Sequence, residues 1–197
     1  MSMVSGVSVQ VSGRYKRQDM AKILSRLRGG DRRSIGNVSE VVAAVRKKPD
    51  LLKDLVTGLF DEDPVVRMRA ADAMEKISLE NPQSLQPFKT QLIRLARQTQ
   101  QQELRWHTAQ MIPRLKLTPE EAATVTDIFF DYLTDKSKIV VTFAMQALSD
   151  LALKKGAASA RMIRAIEKLT RTGSPAIQSR GTKLLPKLKK LSQKEQA

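Results

Sequence analysis

The stretch DEDPVVRMRAADAMEKI, Asp61 to Ile77, decides the fold. Its apolar and small positions are Val66, Ala70, Ala73, Met74 and Ile77, and they fall three and four apart, the spacing of one buried helix face. The pattern returns 38 residues on as Leu104, Thr108, Met111, Ile112 and Leu115. It returns 36 residues later as Val140, Ala144, Ala147, Leu148 and Leu151, and 37 beyond that as Ile177, Gly181, Leu184, Leu185 and Leu188. Each copy follows another amphipathic stretch. A helical hairpin of about 37 residues cannot bury its apolar face alone, so successive hairpins must stack. The expectation is an all-α chain, an α-solenoid of stacked antiparallel helix pairs.

Working outward, the same periodicity predicts about ten helices, near 17–28, 37–47, 50–60, 64–80, 83–98, 101–116, 119–134, 138–154, 159–172 and 175–191. Gly29-Gly30, Pro49, Pro82, Pro119, Gly156 and Pro175 punctuate the joints. Proline is tolerated in a first turn because its missing N–H would have lacked an intrahelical partner anyway. One repeat domain is expected over 17–192, in pairs near 17–48, 49–80, 82–116, 118–155 and 156–192. Tails are expected at 1–16 and 193–197, with the alternation of Val7, Val9 and Val11 read as part of a flexible N-terminal tail. The small residues Ala70, Ala73, Ala109, Ala144, Ala147 and Gly181 suit close helix approach.

The 197 residues include no cysteine and one histidine. That composition excludes disulfides, thiolate metal sites, a cysteine nucleophile and multi-histidine metal centres. No cofactor is expected. No apolar run reaches a membrane span and no charged-then-apolar leader opens the chain, so the cytoplasm is the expected location. Gly-rich phosphate loops and nucleophile elbows are absent; Gly29-Gly30-Asp31 reads as a turn. Glu120 and Glu121 sit beside Pro119, and Thr118 with Glu121 matches a capping box, which accounts for the acid pair without catalysis.

The copy at 61–77 resembles the second helix of a HEAT repeat, an armadillo-type unit. Asp61 stands in the turn, Val66 and Arg67 follow, and then come Ala70, Ala73 and Met74. Later copies depart: Arg105 is kept but Thr99 replaces the aspartate, Asp135 is kept but Val141 replaces the arginine, and the last copy has Thr172 and Gln178. The resemblance covers roughly 30–192, and the whole chain is similar to small bacterial HEAT-repeat proteins. It implies that second helices line a concave surface and that the Asp–Arg pair links adjacent turns, the aspartate also capping the next helix. It implies no activity.

Two features bear on function. Trp106, the only tryptophan, lies roughly 200° round its helix from buried Leu104, in line with Gln110 and, in other copies, with Met68, Asp72, Thr142, Gln146, Ser179 and Lys183. Either it packs under Arg69 or another neighbour, or it contacts a ligand, with Arg105 and His107 beside it. His107 itself reads as a polar surface histidine. The second feature is charge. The formal charge is +15, and residues 14–48 hold 11 basic and 3 acidic side chains, 49–153 hold 12 and 15, and 154–197 hold 12 and 2. Arg26, Arg28, Arg32 and Arg33 mark one basic end, and Lys183, Lys187, Lys189, Lys190 and Lys194 the other. Such ends serve as soluble caps or attract a polyanion.

The expected function is therefore a non-enzymatic interaction scaffold. Its partner is expected to be a protein with an acidic surface, bound through Trp106, Arg105, His107, Arg32, Arg33, Lys183, Lys187 and Lys190. The alternative is a nucleic-acid-binding repeat protein using its basic ends. A more distant version of it, suggested by resemblance to HEAT-like DNA glycosylases, uses Asp72 or Glu75 as carboxylate. No small-molecule substrate or membrane partner is expected.

Overall fold

The computed structural model describes residues 23–30 and 34–194; Val7, Val9, Val11, Arg32 and Arg33 lie outside the described residues. Among the described residues the chain is all-α. A helical turn at 23–25 precedes α1 (Val38–Lys47), α2 (Leu51–Gly58), α3 (Pro64–Glu80), α4 (Lys89–Gln98), α5 (Gln102–Met111), α6 (Pro119–Tyr132), α7 (Lys138–Lys155), α8 (Ala160–Thr172) and α9 (Pro175–Lys194). Two 3-10 segments, Pro82–Phe88 and Ile112–Arg114, stand where the periodicity predicts α-helix. Their prolines explain the difference: Pro87 and Pro113 have no N–H to close an α-helical ring. Pro186 instead sits inside α9. Both it and Thr182, whose carbonyl it leaves without a helical donor, are exposed.

The chain divides into two compact units, residues up to 80 and residues from 81. In the first, α1 and α2 both pack on α3. Val38, Val41, Leu55, Val66, Ala70 and Met74 are buried there, which is what their three-and-four spacing requires. Arg69 is the exception in this core. It is only 2% exposed. Its Nε donates to the Ser34 carbonyl at 3.1 Å, and its Nη1 donates to the carbonyls of Leu27 at 2.8 Å and Gly29 at 2.5 Å. The guanidinium thus replaces water for a loop whose backbone has no helical partner. Gly36 completes the cradle: its φ is +53°, and a Cβ there would lie 2.9 Å from Arg69 Cζ. Arg69 is therefore unavailable as a surface cover for an aromatic ring.

In the second unit α4 packs on α5, α6 on α7 and α8 on α9. The helices α5, α7 and α9 form one layer, with α7 in the middle touching both others. Leu104, Met111, Val140, Ala144, Ala147, Leu184 and Leu188 are buried, so the recurring stripe is the core. Gly181 lets α9 approach α8.

The turns repeat as faithfully as the helices. Asp61 Oδ1 accepts from the N–H of Asp63 at 3.0 Å, Thr99 Oγ1 from Gln101 at 3.2 Å, and Asp135 Oδ1 from Ser137 at 2.7 Å. Six residues after the first two, an arginine reaches back to the backbone carbonyl: Arg67 to Asp61 at 2.8 Å and Arg105 to Thr99 at 2.9 Å. The second carboxylate oxygen of each aspartate takes an arginine from the preceding segment, Arg28 for Asp61 at 2.7 Å and Arg105 for Asp135 at 2.5 Å. An arginine thus links to the aspartate of the next turn, while Arg67 meets the carbonyl of Asp61. Thr99 keeps the turn hydrogen bond but has no charge for an ion pair. The capping box at Thr118 forms as expected, with Glu121 N–H donating to Thr118 Oγ1 at 3.3 Å and Thr118 N–H to Glu121 Oε2 at 2.8 Å. Glu121 also takes Lys89 at 2.5 Å. That hydrogen bond holds its carboxyl below the usual carboxylate range, so it is a tied structural anion.

Candidate binding surface

The outward side of the α5–α7–α9 layer gathers most of the sequence-predicted residues that the structure describes. The repeat spacing places Trp106, Thr142 and Ser179 in one row across the three helices, then Gln110, Gln146 and Lys183, then Arg114, Asp150 and Lys187. Trp106 is half-buried, its ring 5.7 Å from that of His107 and tilted by 57°. It neither sinks into the core nor stands free.

His107 departs from expectation. It is 8% exposed and belongs to the interior. α5 packs against both α4 and α7, so its covered arc is wider than that of a helix with one neighbour, and a position at the arc's edge is enclosed. Arg105 departs too. Besides the Thr99 carbonyl and Asp135 it donates to Gln100 Oε1 at 2.5 Å, and its guanidinium lies 5.2 Å from the centre of the Tyr132 ring. With its donors so engaged, Arg105 joins turns and is not a free cation at the surface. Arg32 and Arg33 lie outside the described residues.

Lys183, Lys187 and Lys190 stand together on α9. Their i, i+4, i+7 spacing puts them on one face of α9, all three are exposed, and among the described residues none has an ion-pair partner. Lys189 points elsewhere and pairs with Glu167 at 2.7 Å.

The middle of the layer is polar and internally linked. Arg180 donates to Gln146 Oε1 at 2.6 Å, and Gln146 Nε2 donates to Asp150 Oδ1 at 2.8 Å, a chain from α9 to α7. Burial pushes the Asp150 carboxyl up; the Gln146 hydrogen bond and the nearby charges of Arg114, Lys154 and Arg180 oppose it. Burial likewise pulls the Lys154 ammonium down, opposed by Asp150, while its Nζ donates to the Leu115 carbonyl at 3.3 Å.

Two exposed apolar side chains went unnoticed in the sequence, Ile139 at 50% and Leu153 at 43%. They are 14 residues apart on α7, nearly four turns, and so share the outward face with Gln146 and Asp150. The signal was present, since both fall outside the buried stripe.

The carboxylates that a glycosylase reading would use are placed differently. Glu75 is buried at 8% exposure, and Asp72 is ion-paired with Lys76 one turn on. Among the described residues, no group of three or more His, Asp or Glu side chains is placed to hold a metal ion, and no helix is long and apolar enough to cross a membrane.

Comparison with known proteins fits this architecture. No curated protein sequence matches the chain. A crystal structure of an engineered protein superposes with a TM-score of 0.58 at 15% identity, over 95% of this chain and 86% of that one. At that identity the likeness concerns the fold alone. The sequence itself matches the HEAT repeat domain over residues 23–172. With most of its length matched and its helices stacked in pairs, the chain belongs to the HEAT-repeat family, whose members are in general interaction scaffolds.

Proposed function

We propose that this protein is a non-enzymatic scaffold that binds an acidic protein surface on the outward face of the α5–α7–α9 layer. The observation that carries this reading is the α9 stripe of Lys183, Lys187 and Lys190, exposed and without ion-pair partners among the described residues. Three like charges on one face repel one another, and the molecule leaves them uncompensated. An incoming acidic surface relieves that repulsion and is steered by the same field. Arg105 and Arg180 of this layer are engaged internally, so neither adds an outward-directed charge beside the stripe.

The test is affinity capture from nuclease-treated native extract, using the wild type and the variant Lys183→Glu/Lys187→Glu/Lys190→Glu as baits. A specific protein should be retained by the wild type and lost by the variant. The circular dichroism of the two baits should match, because the substituted positions are exposed. If capture succeeds only from untreated extract, with nucleic acid in the retained fraction, the nucleic-acid alternative replaces this reading.

A further inference from the structure

The lysine stripe explains attraction, but not what shape of partner fits. Beside it on α7 stand Ile139 and Leu153, the two largest exposures of apolar surface in the second unit. Packed helices lie about 8–10 Å apart, so the apolar points on α7 and the lysines on α9 form two parallel lines about one helix width from each other. Between Ile139 and Leu153 the row holds Gln146 and Asp150. The Asp150 charge does not oppose an anion there, because Gln146 bonds it and Arg114, Lys154 and Arg180 surround it.

From this juxtaposition we infer that the α7–α9 face docks an acidic amphipathic helix of a partner protein, with Ile139 and Leu153 meeting its apolar side and Lys183, Lys187 and Lys190 its carboxylates. The inference rests on the scaffold reading above and narrows it. A partner segment that meets both lines at once must show apolar and acidic faces to two neighbouring grooves. A helix about 10 Å across does so when its side chains segregate by face. The length follows from the same spacing: 14 residues at about 1.5 Å each is roughly 21 Å, so the segment needs about four turns. Its acids would repeat at i, i+4 and i+7 to match the lysines. Charge complementarity selects this occupant over a two-fold pairing with a second copy of the chain, because such a copy would bring the same lysines to the contact.

The probe is a labelled Glu/Leu peptide of about 18 residues, helical and amphipathic, set against a Glu/Gln peptide of equal length and charge and against duplex DNA. Anisotropy at moderate salt should show the Glu/Leu peptide binding at least tenfold tighter than the Glu/Gln peptide. Ile139→Ser/Leu153→Ser should erase that difference, while Lys183→Gln/Lys187→Gln/Lys190→Gln should weaken both peptides alike. Equal binding of the two peptides overturns the inference, as does a preference that survives Ile139→Ser/Leu153→Ser. So does duplex DNA that binds tighter than either peptide regardless of Ile139 and Leu153. The scaffold reading has a separate fate: lysine-dependent capture of a protein from extract can stand while peptide discrimination fails, and the converse result would separate them the other way.

Discussion

At the scale of single residues, the interior distinguishes hydroxyls by whether the preceding turn accepts them. Thr108 Oγ1 donates to the Leu104 carbonyl at 2.8 Å, and Ser78 Oγ to the Glu75 carbonyl at 2.7 Å. Ser149 is equally buried, but its Oγ has no partner. Removing an unsatisfied buried hydroxyl relieves its desolvation cost, and alanine favours helix by a further few tenths of a kcal/mol. Ser149→Ala should therefore stabilise the protein, by about 0.5–1.5 kcal/mol in a denaturant melt, and a loss of stability would show that the hydroxyl is bonded in solution. Tyr132 is the opposite case. Its hydroxyl donates to the Ala96 carbonyl at 2.5 Å, and burial pushes its pKa up to about 12, against the opposing Thr108 hydrogen bond and Arg105 charge. The fold holds this proton more tightly than the unfolded chain, where tyrosine titrates near 10. The contribution is complete below about pH 10 and is lost as pH rises through about 12, roughly 2–3 kcal/mol in all. Ultraviolet titration should show a tyrosinate step near 12 that Tyr132→Phe removes.

At the scale of elements, the α8–α9 contact can be tested at one atom. A Cβ on Gly181 would collide with Thr170 Oγ1 and lie 2.9 Å from Thr170 Cβ. Alanine is the better helix former by about 1 kcal/mol, so propensity alone predicts that Gly181→Ala stabilises α9. The contact predicts the reverse, because Thr170 must turn or the helices must part, and overpacking costs typically 1–3 kcal/mol. Thr170→Ala should restore part of the loss in the double variant, a coupling that a double-mutant cycle reads directly. The sequence already carried this level. The apolar recurrence from Val66 to Leu188 located the buried stripe, and Pro64, Pro119 and Pro175 each open a helix where expected. Two things were not legible there. Pro87 and Pro113 fall in 3-10 segments while Pro186 stays inside an α-helix, a difference that the residue type alone does not carry. Arg69 reads as an ordinary surface cation, and only the three carbonyls of a loop some 40 residues away give it a buried role. For the candidate surface, the shared helix face of Lys183, Lys187 and Lys190 was legible in their spacing, whereas the enclosure of His107 and the engagement of Arg105 were not, because tertiary neighbours surround α5.

At the scale of the whole molecule, the charge distribution makes a prediction separable from any specific partner. The net charge of +15 is concentrated in residues 14–48 and 154–197, with an acidic excess between them. Any polyanion will bind at low salt by displacing condensed counterions, so duplex DNA should associate without sequence preference, and log affinity should fall linearly with log salt. The slope counts contacts at about 0.9 per phosphate on B-DNA. If the α9 stripe makes those contacts, Lys183→Gln/Lys187→Gln/Lys190→Gln should reduce the slope by up to about 2.7. Trp106→Ala should leave the slope unchanged, since a stacked ring releases no ions. It should lower affinity by roughly 1–3 kcal/mol only if a base stacks on the indole. A slope that ignores the three lysines would move the phosphate contacts to the basic segment 14–48. A large Trp106→Ala effect would show that the outward face meets bases, which an acidic helix of a protein partner does not require.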